Sequence, residues 1–149
     1  MSIVSIRQAE RSDIPGIFAL VQELALYEKA PEAVITSVKT YEDDFDAAHF
    51  EAFVAEIEGK IVGMALYYMA FSTWKGKMLY LEDFVVQETH RRSGAGQLLF
   101  DAFLAKAKEK KCSLVKWQVL DWNEPAIRFY EKNNAIIEQE WWNGKIFLV

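Results

Sequence analysis

The chain has 149 residues, of which 52% are hydrophobic and 26% charged, and its formal net charge is −5. That length predicts one domain whose core needs no disulfide or metal staple. The acidic balance argues against a nucleic-acid partner, because nucleic-acid binding selects for basic surfaces, and it is compatible with a cationic small substrate. Cys112 is the single cysteine, so no internal disulfide is possible, and no Cys/His cluster suggests a metal. Cys112 falls where a helix meets a strand and is expected in or near the core. The histidines, His49 and His90, lie in separate polar stretches. The N-terminus lacks a charged-then-apolar signal, and no apolar run approaches the roughly 18 residues of a membrane span. A cytoplasmic protein without a membrane partner is therefore expected.

Residues 3–7 alternate and predict a strand. Ser12 and Asp13 offer caps for a helix over 13–28, with Ile14, Ile17, Val21, Leu24 and Ala25 on one face. Pro31 breaks that run, and a short acidic helix follows over 36–45. Residues 50–58 and 60–71 predict two strands joined at Glu58-Gly59, and 78–87 a third, together an antiparallel meander. A helix over 94–111 and a strand over 113–121 follow, which makes a parallel pair with a right-handed crossover. Asn123 caps a helix reaching to about 133, with Pro125 in its first turn. Residues 135–142 and 144–149 predict a closing hairpin around Asn143-Gly144. The order implies an α/β fold with a mixed, mostly antiparallel sheet and helices on both faces.

The chemistry concentrates in residues 81–111. A strand runs into a polar turn, and Gly94-Ala95-Gly96 opens a helix. First-turn amides lack intrahelical partners and carry the positive end of the helix dipole, so this turn suits a phosphate or diphosphate. Arg91 and Arg92 add charge beside it. The dinucleotide fingerprint fails, because Leu99 stands where a third glycine is required, and no Gly-Lys-Ser/Thr forms a P-loop. Glycine's commonest use is conformational, so the stretch alone is equally consistent with a tight strand-to-helix turn.

Arg91-x-x-Gly94-x-Gly96 after a strand, in this order of elements, resembles the acyl-CoA-binding motif of the GNAT N-acetyltransferase superfamily. Three further stretches match its diamine acetyltransferase branch, which includes spermidine/spermine and thialysine acetyltransferases. These are residues 23–28 with Tyr27 and Glu28, residues 74–84 with Trp74, Glu82 and Asp83, and residues 122–130 with Asn123, Pro125 and Tyr130. The likeness runs from about Ile6 to Ala135 and weakens beyond it. Relatives place glycine near Asn134 and carry a further C-terminal segment.

The resemblance implies a single-domain GNAT fold that transfers acetyl from acetyl-CoA to a primary amine by direct attack. It implies that residues 92–97, namely Arg92, Ser93, Gly94, Ala95, Gly96 and Gln97, hold the diphosphate through backbone amides. The edge at Phe84, Val85 and Val86 would pair with the pantetheine arm, and Asn123, Pro125 and Ala126 would contact the cofactor. Tyr130 would be the general acid for the departing sulfur. Glu82 would meet the acceptor amine and relay its proton, with Tyr27, Glu28 and Trp74 around the acceptor. Glu82 and Asp83 are neighbours in a strand, so regular alternation predicts their side chains on opposite faces. A homodimer is implied, with a polyamine or a thialysine-like amino acid as acceptor. A protein lysine or N-terminal amine is the alternative acceptor, and a silent CoA-binding module the alternative class.

Overall fold

The computed structural model describes residues 2–149, which fall into two compact units, one ending at Trp117 and the other beginning at Gln118. The first unit holds a five-stranded sheet in the order β1 (Val4–Gln8), β2 (Glu51–Ile57), β3 (Lys60–Ser72), β4 (Gly76–Val86) and β5 (Leu114–Trp117). The first four strands pair antiparallel, and β5 joins β4 in parallel, as the crossover helix requires. The β2–β3 turn places Glu58 and Gly59 at φ +52° and +78°, both in the left-handed region that a tight hairpin uses.

Helices cover both faces of this sheet. On one side, α1 (Ile14–Tyr27) presents Ile14, Ile17, Leu20 and Val21, which are buried with Val54, Met64, Leu66 and Val85 of the sheet. Beside it runs α2 (Val38–Asp46), capped by the Ser37 side chain on the Thr40 amide. Its Tyr41 meets Phe18 and Phe50 edge-on at 5.2 and 5.8 Å. On the other side, α3 (Ala95–Glu109) buries Leu99, Phe100, Phe103 and Ala107. Phe103 packs against Tyr67, and Phe100 against Phe84 and Trp117. These contacts assign faces. Leu66 and Val85 look toward α1, while Tyr67 and Phe84 look toward α3.

One irregularity positions the site. Leu66 pairs with Asp83, and the next residue, Tyr67, pairs with Leu81. Glu82 is thus the extra residue of a β-bulge on β4, which breaks the two-residue alternation there.

The second unit contains α4 (Glu124–Lys132), capped by the Asn123 side chain on the Ala126 amide. The hairpin expected over 135–149 is not formed; these residues carry no strand. An isolated two-stranded hairpin is marginal in water, and this unit provides no further strand to pair with it. β5 is also shorter than expected, four residues instead of nine. No helix among the described residues is long and apolar enough to cross a membrane.

Candidate active site

β4 supplies the carboxylates. Its parallel pairing with β5 ends at Leu81 and Trp117, and no described strand continues the pairing beside residues 82–86. Phe84 is half-buried against Phe100, Val85 is buried on the α1 side, and Val86 lies near Gly96 of α3. Gly63 of β3 lets these elements close up, since a Cβ there would lie 3.0 Å from the Val85 carbonyl and 3.2 Å from Leu99.

After β4 the chain turns through Arg91 and Arg92 to Gly94, which caps α3 at φ +90°. That left-handed conformation favours glycine, and a Cβ there would meet nothing within 4 Å. The Ala95 amide is taken by the Ser93 hydroxyl at 3.2 Å. The first intrahelical bond of α3 runs from the Leu98 amide to the Gly94 carbonyl at 3.1 Å, so the helix start precedes that point. An open cradle, a helix N-terminus and two adjacent arginines suit a diphosphate.

Arg91 does not stand apart from the helix that precedes it in the fold. Its guanidinium lies over the Tyr27 ring, 5.2 Å from the centroid. Together they line a cavity of about 210 Å³ with Glu23, Leu24, Val85 and Glu88. Glu28 caps the C-terminus of α1, where the helix dipole disfavours a carboxylate, and burial raises its pKa.

The bulge corrects the expected geometry of the acidic pair. Glu82 and Asp83 lie on the same face, the one covered by α1 and α2. Glu82 Oε1 accepts a hydrogen bond from the Tyr68 hydroxyl at 3.3 Å, and Tyr68 is on the opposite side of β3 from Tyr67. Asp83 is half-buried, and its pKa is pushed up to about 6, first by burial, then by the charges of Glu82 and Glu28. The Tyr41 hydroxyl on α2 is raised by burial and by the charges of Asp83 and Glu82. Tyr68 stacks on Tyr80 at 5.3 Å, and its hydroxyl is pushed up to about 12 by burial and the Glu82 charge. These tyrosines stay protonated at neutral pH and can donate to a carboxylate.

The structure thus brings together Tyr27 with Arg91, and Glu28 with Asp83 and Glu82. It does not bring Trp74 to them. Trp74 is 84% exposed in the β3–β4 turn, and Gly76 to Glu82 alone spans six residues of strand, roughly 20 Å. Asn123, Pro125, Ala126 and Tyr130 belong to the second unit, where the Tyr130 ring meets Phe129 edge-on at 5.7 Å. Cys112 is half-buried at the α3–β5 junction, with its sulfur 3.8 Å from that of Met69. Among the described residues no group of three His, Cys, Asp or Glu could hold a metal ion. Sequence reasoning missed Tyr68 and Tyr80. Their signal was weak, two tyrosines in strands rich in aromatic residues, and only the paired register stacks them.

The sequence model of the acetyltransferase (GNAT) family matches residues 16–135. The chain belongs to that family. This GNAT domain is an N-acetyltransferase. It is 36% identical to the thialysine N-epsilon-acetyltransferase of Bos taurus, over 96% of this chain and 91% of that one. Spermidine/spermine N(1)-acetyltransferase-like protein 1 of Homo sapiens is 33% identical over 91% of this chain, which corresponds to 21% of that longer protein. Among solved structures, an aminoglycoside acetyltransferase from an uncultured soil metagenomic sample superposes with a TM-score of 0.81 at 22% identity, covering 98% of this chain and 97% of the other. That last likeness speaks for the GNAT fold alone.

Proposed function

We propose that this GNAT enzyme transfers acetyl from acetyl-CoA to a primary amine of a small cationic acceptor, a polyamine, diamine or thialysine-like amino acid. The observation that carries the reading is the pair of carboxylates, Glu82 and Asp83, turned to one face by the bulge in β4. Relatives named for thialysine and for spermidine/spermine support the same acceptor class.

The chemistry has two demands. At pH 7 an alkylamine is almost wholly ammonium, and its deprotonation costs roughly 4–5 kcal/mol. Carboxylates that attract the cation and accept its proton meet that demand. Glu82 meets the ammonium, with Glu28 and Tyr27 beside the acceptor. The second demand is to protonate the sulfur as the C–S bond breaks, and Tyr130 supplies that proton as general acid. Arg91 and the amides of residues 92–97 neutralise the diphosphate, residues 84–86 pair with the pantetheine arm, and Asn123, Pro125 and Ala126 complete the cofactor contacts. Acetyl-CoA, when bound, supplies the activated acyl group. A homodimer belongs to this reading on family resemblance, and a cytoplasmic place of action is proposed with it.

A panel of free diamines, polyamines, thialysine and lysine-containing peptides, read by CoA release from acetyl-CoA, tests it. Turnover confined to peptides would replace the small-amine acceptor with a protein one.

A further inference from the structure

β3 outruns its neighbour in the sheet. Its pairing with β2 ends where Glu51 faces Tyr67, while β3 itself continues to Ser72. At that step lies a second cavity, of about 170 Å³, and neither Glu82 nor Asp83 lines it. Its walls carry groups of both charge signs. Glu51 comes from the start of β2, His49 from the turn after α2 and Lys110 from the end of α3, while Met69 and Leu79 supply apolar surface.

The carboxylate on this wall is held in place. Tyr67 is 1% exposed, with Phe53 and Phe103 against its ring at 5.7 and 5.8 Å. Its hydroxyl accepts a hydrogen bond from Gln8 Nε2 at 2.8 Å and donates to Glu51 Oε1 at 3.2 Å. Glu109, whose charge also reaches the Tyr67 hydroxyl, is paired with Lys106 at 3.4 Å. The side chains of His49 and Lys110 have no hydrogen-bond or ion-pair partner among the described residues, so Glu51 pairs with neither. One carboxylate and two nitrogen donors thus face a single small cavity without meeting each other. Charge turned toward a cavity is poorly compensated, and a molecule carrying both signs answers all three groups together.

We propose that this cavity binds the zwitterion of a short-chain α-amino acid. The ligand's ammonium donates to Glu51, its carboxylate accepts from the Lys110 ammonium and the His49 ring, and its side chain rests on Met69 and Leu79. At roughly 30 Å³ per water-sized group the cavity holds about six non-hydrogen atoms, the size of alanine. An amine or a carboxylate alone leaves part of the wall unanswered. Tyr68 also lines the cavity, and its hydroxyl donates to Glu82, so an occupant abuts the acceptor side without sharing its carboxylates. The proposal does not depend on which amine the enzyme acetylates.

The test follows the Met69 methyl group by NMR in protein labelled with carbon-13 at its methionine methyls. Met69→Leu identifies the signal among the four methionines. The probes are L-alanine, ethylamine and propionate, the last two being alanine without its carboxylate and without its ammonium. Alanine should shift the signal to saturation with a dissociation constant of about 1–10 mM. Ethylamine and propionate should bind at least about 10-fold more weakly. Glu51 is exposed and Lys110 half-buried, so Glu51→Gln and Lys110→Met should both fold, and each should weaken alanine at least about 5-fold. Excess 1,3-diaminopropane should leave the alanine shift in place. No shift up to about 100 mM alanine overturns the proposal. So does equal binding of the three probes, or wild-type affinity in either variant. Displacement of alanine by the diamine also overturns it, because the ligand would then occupy the acceptor site. The readout needs no turnover, so its failure is separate from any failure of the acetyl-transfer reading.

Discussion

The Arg91 guanidinium lies 5.2 Å from the centre of the Tyr27 ring, so the loop that leads to α3 touches the end of α1 directly. The two residues belong to the proposed cofactor and acceptor sides respectively. A cation–π contact of this kind contributes about 0.5–1 kcal/mol. Arg91→Ala should therefore raise KM for acetyl-CoA several-fold, through the lost charge, and should also change the acceptor KM, through Tyr27. Arg91→Lys should recover part of both. Kinetics with each substrate varied in turn checks this. A change confined to acetyl-CoA would mean that the ring contact has no bearing on the acceptor.

Tyr130→Phe removes one oxygen atom and leaves the Phe129 edge contact in place. We expect kcat to fall by about two orders of magnitude, the usual scale of a lost general acid, with the affinity for acetyl-CoA unchanged by calorimetry. Equal kcat in both proteins, where chemistry limits the rate, would remove the acid role.

Much of this architecture was legible in the chain. The apolar spacing of Ile14, Ile17 and Val21 and of Leu99 and Phe103 located the helices, because packing on a sheet enforces a single buried face. Glu58-Gly59 located a hairpin, because its turn needs positive φ at both positions. The orientation of Glu82 and Asp83 was not legible. Alternation places neighbours on opposite faces, and only the pairing register with Leu66 and Tyr67 reveals the extra residue. The hairpin over 135–149 was overcalled for the opposite reason. Alternation and Asn143-Gly144 are local signals, whereas a strand needs a neighbour to pair with, and sequence does not announce one.

Asp83 makes the stability of the fold depend on pH. Its folded-state pKa is raised to about 6, above the roughly 3.9 of an unfolded aspartate. Its favourable contribution is thus fully present below about pH 4 and is lost as pH rises through about 6. At pH 7–8 the ionised side chain costs about 2–3 kcal/mol by this linkage. Asp83→Asn should consequently melt higher than wild type at pH 8, and the gap should narrow toward pH 5. Scanning calorimetry at the two pH values checks it; a gap independent of pH would remove the linkage.

The Arg7–Asp13 pair has the reverse sign. Asp13 is buried, and Arg7 donates to both its carboxylate oxygens at 2.7 and 2.9 Å and to Glu56 at 2.6 Å. The Arg7 hydrogen bonds hold the Asp13 carboxyl below its usual range, partly opposed by burial. Stability from this group is present above the unfolded aspartate pKa and is lost as pH falls through the depressed folded value. Arg7 is 38% exposed, so solvent screens the pair, and Arg7→Ala should cost about 1–3 kcal/mol rather than the larger loss of a fully buried bridge. Urea melts at pH 7 check the magnitude.

Gly94→Ala tests the turn without disturbing packing, since an added Cβ meets no atom within 4 Å. Its φ of +90° makes alanine strained by about 1 kcal/mol. A small loss of thermal stability with a several-fold weaker affinity for acetyl-CoA is expected, by calorimetric titration. A full-strength affinity would show that this backbone conformation is not needed for the cofactor.

The bulge also bears on how this site could arise or disappear. Leu81 and Asp83 pair with the consecutive residues Tyr67 and Leu66, so Glu82 is one residue inserted into an otherwise continuous ladder. Deleting it would join two residues already in register and restore strict alternation without turning any core side chain outward. Asp83 would keep its face, and the second carboxylate would vanish with its codon. A single in-frame triplet therefore separates a two-carboxylate site from a one-carboxylate site on the same scaffold, a shorter evolutionary step than building either on a new strand.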